Sequence, residues 1–321
     1  MKKETLDNTS YKNAKGPVVY NMTNDYMFRV INQKNPNVTK GIICAILHMK
    51  EDLVQSVEIT NPIELGEDMD DKTFVLDVNV LLNNSSMINF EMQVVNEHNW
   101  QDRSLSYLCR SFDQLYQGEI YASARPAIHV GFLNFEPFPE YPEFHASYKL
   151  INGKNGMVYS DKFILNVVDL THIELATTDD KDAQLDLWAR FFIAKTWEEI
   201  IMIAEKNVYL EAAAQTLYEA NADETTKMKC RARRDYYKQK NTTEKLFREL
   251  EEETNRLTEE KTKLTEEKTK LTEETTRLSE EKNKLLEEKN RLLDDNQKYK
   301  AYIAELEKKL AEKQLTNKKE T

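Results

Sequence analysis

The chain has 321 residues, 40% hydrophobic and 31% charged, with a net charge of −11, of which −9 falls before residue 241. That is length for two average domains and apolar content for a buried core, while seven Gly and seven Pro argue against disordered Gly/Pro linkers and collagen-like repeats. No apolar run approaches the roughly 20 residues a membrane helix needs, the N-terminus lacks a signal-peptide pattern, and Cys44, Cys109 and Cys230 have no paired spacing for disulfides or a Cys zinc site, so a reducing cytoplasm is the expected home.

In chain order, helical patterning opens at residues 25–31 and returns at 38–49, where Val38, Ile42, Ala45, Ile46 and Met49 share one face. Two β-rich runs follow, residues 74–82 and 87–95, separated by the polar turn Asn83-Asn84-Ser85-Ser86, a hairpin signal. Helical spacing resumes at 103–121, an apolar run at 127–135 reads as a buried strand, 162–170 as another strand, and 182–220 as helical. The one dense basic stretch holds Lys227, Lys229, Arg231, Arg233, Arg234, Lys238 and Lys240 with Tyr236 and Tyr237; it suits either a phosphate backbone or a solvated helix.

From Phe247 onward leucine recurs at 250, 257, 264, 271, 278, 285 and 292, a strict heptad. With leucine at d, the a positions are Thr254, Lys261, Lys268, Thr275, Lys282 and Lys289, so half the seam is polar and a coiled coil is weakened. Glu252, Glu259, Glu266, Glu273, Glu280 and Glu287 each precede a basic residue by four positions, which supports the helix even alone. A dimeric coiled coil and an isolated charged helix both fit this pattern.

The hairpin carries the chemistry. By parity, Asp77 and Asn79 share one face of the first run, and Asn89, Glu91 and Gln93 one face of the second. If Leu82 pairs with Ser86, Asp77 lies opposite Glu91 and Asn79 opposite Asn89. Two carboxylates then meet, which is unfavourable unless a divalent cation held by oxygen ligands compensates; a hairpin with one wet face is the other reading. The histidines (48, 98, 129, 145, 172) show no ligand spacing and read as structural.

Asn24-Asp25-Tyr26-Met27-Phe28, Glu67-Asp68-Met69-Asp70-Asp71-Lys72, Leu76-Asp77-Val78, Phe90-Glu91-Met92-Gln93-Val94, Arg103-Ser104-Leu105-Ser106-Tyr107 and the segment from Cys230 to Tyr237, in this order and spacing, resemble the Rpn family of recombination-promoting nucleases, also called PD-(D/E)XK nuclease family transposases. The resemblance covers roughly residues 20–240. It implies an α/β fold, a restriction-endonuclease-like core of central mixed sheet flanked by helices, followed here by the long C-terminal helix or coiled coil. It also implies a Mg²⁺-dependent DNA endonuclease (Mn²⁺ able to substitute) tied to recombination or mobile elements. Asp77 then stands as the acid of the first motif and Glu91 as that of the second; both would hold the metal, with the Met92 carbonyl as a further ligand. Gln93 sits where the superfamily usually has Lys; it can orient water by hydrogen bonding but brings no charge.

Asp25 is an accessory-acid candidate or a helix start, and Arg103 contacts phosphate or pairs with an acid on its own helix. Arg231, Arg233 and Arg234 are the DNA-binding candidates. The segments expected are a flexible arm (1–20), the nuclease-like core (21–180), a helical extension with the basic segment (181–240) and the heptad helix (241–321). DNA is the expected partner, a homodimer through 250–310 the expected assembly, and no membrane is involved. A catalytically weak or inactive nuclease-like interaction protein, assembling through the tail, is the alternative, favoured by Gln93 and the acidity of residues 1–240.

Overall fold

A computed structural model of the chain describes residues 10–62, 77–113, 115 and 118–317. Its contacts divide into two compact units, Met1–Thr242 and Thr243–Thr321.

The first unit opens with α1 (Asp25–Lys34), capped by Asn24, whose side chain accepts from the Met27 N–H, and α2 (Pro36–Ile46), with Pro at its first turn. After the short strand β1 (Val57–Ile59) come β2 (Val78–Leu82) and β3 (Ser86–Gln93), joined by a tight turn in which Asn83 and Asn84 take left-handed backbone, a conformation Asn tolerates. Leu82 pairs with Ser86 and Asn79 with Asn89, the register expected from the sequence. Residues 74–76 of the first β run and the Glu67–Lys72 motif lie outside the described residues.

Next come α3 (Trp100–Phe112), β4 (Ala127–Leu133), β5 (His145–Ile151) and β6 (Val158–Asp169). The six strands form one mixed sheet in the order β1-β2-β3-β4-β6-β5, with β3–β4 and β4–β6 parallel and the other pairs antiparallel. β4 is buried along its whole length, as a central strand covered on both faces must be.

Four helices follow: α4 (Thr178–Asp182), α5 (Leu185–Ile193), α6 (Trp197–Ala204) and α7 (Val208–Ala222), where the sequence suggests one helical stretch over 182–220. The breaks have local causes. Gln184 adopts φ 61°, Thr196 and Glu199 form a capping box, and the Asn207 side chain caps the next start. One other expectation is corrected. The helix expected at 103–121 ends at Phe112, and Gly118 downstream has φ 96°, outside helical backbone. β5, unassigned in the sequence, is a largely exposed edge strand in which Ala146, Tyr148 and Leu150 alternate with His145, Ser147 and Lys149.

The main core lies on the sheet face carrying Phe90 and Phe132, where α1 and α5 bring Phe28 and Phe192: the Phe132 ring sits 5.8 Å from Phe28 and 5.1 Å from Phe192. α3 covers the other face through Trp100 and Leu108. Trp100 lies so close to Gly131 of β4 that a Cβ there would come within 2.0 Å of the indole, so only glycine fits. The last helix, α8, is Glu224–Asn317. Within the second unit it stands as a single helix whose heptad leucines 250–292 are 52–65% exposed and whose threonines donate to carbonyls four residues back.

Candidate active site

Strand alternation and register assemble a polar cluster on the sheet face under α3. Asn89, Glu91 and Gln93 of β3 share that face, beside His129, Gly131 and Leu133 of β4. Asp77 immediately precedes β2, and Val78 pairs with Phe90, so Asp77 stands in line with Glu91. The Asn89 amide donates to Asp77 Oδ2 at 2.6 Å and to Asn79 Oδ1 at 2.5 Å. Its own Oδ1 faces His129 Nδ1 at 2.6 Å, so Nδ1–H is the donor and Nε2 keeps its lone pair. Burial, reinforced by the neighbouring Arg103 charge, pushes His129 down to about 3, and the ring is neutral at neutral pH. Tyr107 stacks on it at 5.8 Å.

Arg103 reaches across from α3 to Glu91 Oε1 at 2.6 Å and to Glu97 at 3.4 Å, with its guanidinium over the Tyr107 ring. The acid it pairs with is therefore on the sheet and on the α3 approach, not on its own helix. Glu91 Oε2 lies 3.8 Å from His129 Nε2, and these two atoms together with Gln93 Oε1 are buried without a hydrogen-bond partner. Gln93 Nε2 donates to the Val95 carbonyl. Burial, opposed by Arg103 and reinforced by Asp77, pushes the Glu91 carboxyl up to about 7.

This shift has a consequence for stability. The folded state keeps a proton on Glu91 between pH 4.5 and about 7 that the unfolded chain releases, so in metal-free buffer stability falls as pH rises through that window. The loss is on the order of 3 kcal/mol at most. Urea unfolding at pH 5 and pH 8 checks it: Glu91→Gln, which cannot titrate, flattens the difference.

The donor set suits a hard divalent cation. Asp77 and Glu91 supply carboxylate oxygens, the orphaned Glu91 Oε2 and Gln93 Oε1 are acceptors lacking any donor, and Mg²⁺ and Mn²⁺ prefer oxygen ligands. The Met92 side chain is buried on the opposite sheet face, in line with Phe132, so its carbonyl is the only part of it available to such an ion. A cleft beside Asp77 is lined by Asn79, Asn89, Tyr107, Arg110 and Arg125. Neither arginine was singled out in the sequence. Arg110 was legible, since Arg103, Tyr107 and Arg110 fall at i, i+4 and i+7 on one helix face.

The remaining expected residues separate from this cluster. Asp25, first residue of α1, is buried and paired with Arg233 of α8, and the Tyr237 hydroxyl donates to it at 2.6 Å. Arg233, expected to face phosphate with Arg231 and Arg234, is thus turned inward, because a buried carboxylate needs a partner. Arg231 and Arg234 remain accessible, with side chains 72% and 46% exposed. The histidines do not all read as structural either: His129 joins the cluster, and a polar residue inside the otherwise apolar β4 was the available signal. His48 and His145 converge with Asp180 elsewhere.

A family model described as PD-(D/E)XK nuclease family transposase matches residues 22–246. No curated protein and no solved structure matches the chain.

Proposed function

The chain belongs to the PD-(D/E)XK nuclease family transposases, and from that premise we propose that it hydrolyses DNA phosphodiester bonds at the Asp77–Glu91 face, in recombination or on mobile elements. The observation that carries the reading is the unpartnered Glu91 Oε2 beside Asp77, next to a cleft furnished with Arg110 and Arg125. A bound Mg²⁺, or Mn²⁺ in its place, would neutralise the phosphate and lower the pKa of the attacking water. Asp77 and Glu91 would hold it, with the Met92 carbonyl as a further ligand.

Each remaining residue has a limited part. Gln93 presents its free Oε1 to a water but supplies no charge, so the positive field at the phosphate comes from Arg110 and Arg125. Arg103 fixes the Glu91 carboxylate in place. His129 is held neutral, so its unpartnered Nε2 keeps a lone pair able to accept a hydrogen bond from a bound water. Arg231 and Arg234 extend the contact along the DNA backbone and lower affinity as salt rises. No helix among the described residues is long and apolar enough to cross a membrane, and the free cysteines suit a reducing cytoplasm.

The test is supercoiled plasmid incubated with the purified protein, with and without Mg²⁺ or Mn²⁺. Metal-dependent nicking supports the reading; no cleavage under any metal sinks it. The second reading, a catalytically weak nuclease-like interaction protein, is favoured by one contact, Arg103 on Glu91 Oε1, which occupies an oxygen the metal would use.

Assembly through residues 250–310 belongs to the same proposal. The exposed heptad leucines offer an apolar seam, and the Lys and Thr a positions limit its strength. The full-length protein is expected to be a concentration-dependent homodimer, which would bring two single-strand-cutting sites to one DNA. Sedimentation equilibrium checks this against a variant truncated after Lys240, expected to be monomeric and to nick without cutting both strands. A full-length mass that stays monomeric at high concentration overturns it.

A further inference from the structure

On the opposite face of the sheet from Glu91, three elements far apart in sequence bring two imidazoles and a carboxylate together. His145 begins β5 and pairs with Val168, in the same row as Phe132 and Met92, so it stands on the face that Glu91 does not. His48 follows the C-terminus of α2, and Asp180 lies in α4. One donor atom of each lies within 4.8 Å of the others; His145 Nδ1 is 2.9 Å and His48 Nε2 3.5 Å from Asp180 Oδ1.

Each side chain is held for this meeting. Thr177 donates its N–H and its hydroxyl to Asp180 Oδ2, at 2.9 and 2.7 Å, and so leaves Oδ1 to face the imidazoles. His145 Nε2 lies 3.3 Å from Asn166 Oδ1; donating there, the ring turns the lone pair of Nδ1 toward Asp180 Oδ1. In that tautomer the Nδ1 lone pair and Asp180 Oδ1, 2.9 Å apart, can both face one cation; with the proton on Nδ1 the same two atoms form a direct hydrogen bond. A ligating histidine ordinarily has its other ring nitrogen fixed by an acceptor in this way. His48 has φ 49°, in the left-handed region where glycine is the usual residue at a helix end, so the backbone carries strain at the point where an imidazole is presented. Its side chain is 35% exposed, and the cavity beside it includes Cys44, Glu51, Asp179 and Asp182, whose acids raise the local concentration of cations.

We propose that His48, His145 and Asp180 bind a divalent transition metal of the zinc class, with three protein ligands and a fourth position open to solvent on the His48 side. Two nitrogens and one carboxylate oxygen suit Zn²⁺ and not Mg²⁺, which separates this site chemically from the all-oxygen face at Asp77 and Glu91. The proposal does not rest on the nuclease reading.

The experiment is titration of chelator-treated full-length protein with Zn²⁺ by calorimetry, and with Co²⁺ by its visible ligand-field absorption. The wild type is expected to take up one Zn²⁺ and to melt at higher temperature when loaded. His48→Asn keeps a residue that accepts left-handed backbone, and it is expected to weaken Zn²⁺ binding roughly hundredfold with an unchanged circular dichroism spectrum. An Asp77→Asn/Glu91→Gln double variant is expected to bind Zn²⁺ as the wild type does, whether or not DNA cleavage is observed. Wild-type affinity in His48→Asn, or loss of binding in the Asp77/Glu91 double variant, overturns the assignment. So does a wild type with no saturable Zn²⁺ uptake, which would reduce His145 and Asp180 to an ion pair only.

Discussion

Asp77→Asn and Glu91→Gln are each expected to lower metal-dependent DNA cleavage by roughly three orders of magnitude or more, with the circular dichroism spectrum unchanged. Both substitutions keep size and hydrogen-bonding capacity. An Asn at 77 still offers an oxygen to the Asn89 amide, and a Gln at 91 still accepts from Arg103, so the contacts at 2.6 Å survive in each case. Only the negative charge is lost. If the site works by holding a divalent cation against the scissile phosphate, that charge is what it cannot do without. Alanine would be a poorer probe at 91, because it would strand the partly buried Arg103 guanidinium without its carboxylate and confuse stability with catalysis. Plasmid nicking over a Mg²⁺ series checks the prediction; cleavage at wild-type rates in either variant would remove both residues from the mechanism.

The second large effect concerns stability. Asp25→Ala is expected to cost about 3–5 kcal/mol, since it leaves Arg233, whose side chain is 10% exposed, as a buried charge without its carboxylate. The same change removes the acceptor of the Tyr237 hydroxyl. This ion pair ties the start of α1 to α8 across 208 residues of sequence, so the loss should appear as a lower urea midpoint of the whole transition. Arg233→Met, which also removes the charge but refills the volume against Tyr236 and Tyr237, should cost less when combined with Asp25→Ala than the two single changes summed. A direct part for Asp25 in the chemistry predicts the reverse: lost cleavage at unchanged stability.

The local chemistry of the chain was enough to place the hairpin and its polar face. Alternation places Asp77 and Glu91 on the polar faces of their strands, and the register Leu82–Ser86, conditional in the sequence on the length of the turn, is the one the structure adopts and aligns Asp77 with Glu91. The heptad leucines likewise mark the tail helix by themselves. What the sequence left open was decided by contacts between residues distant along the chain. Arg103 could be read toward phosphate or toward an acid, and it pairs with Glu91 because α3 packs over β3. Arg233 sits among accessible basic neighbours, yet it turns inward because Asp25 waits 208 residues away. His129, flanked by apolar residues, acquires its role from Asn89 on the adjacent parallel strand, and His48, His145 and Asp180 meet only once α2, β5 and α4 are packed. Periodicity reports which face a side chain shares with its near neighbours; which partner it meets on that face depends on strand order and helix packing, and those are set by burial of the whole core.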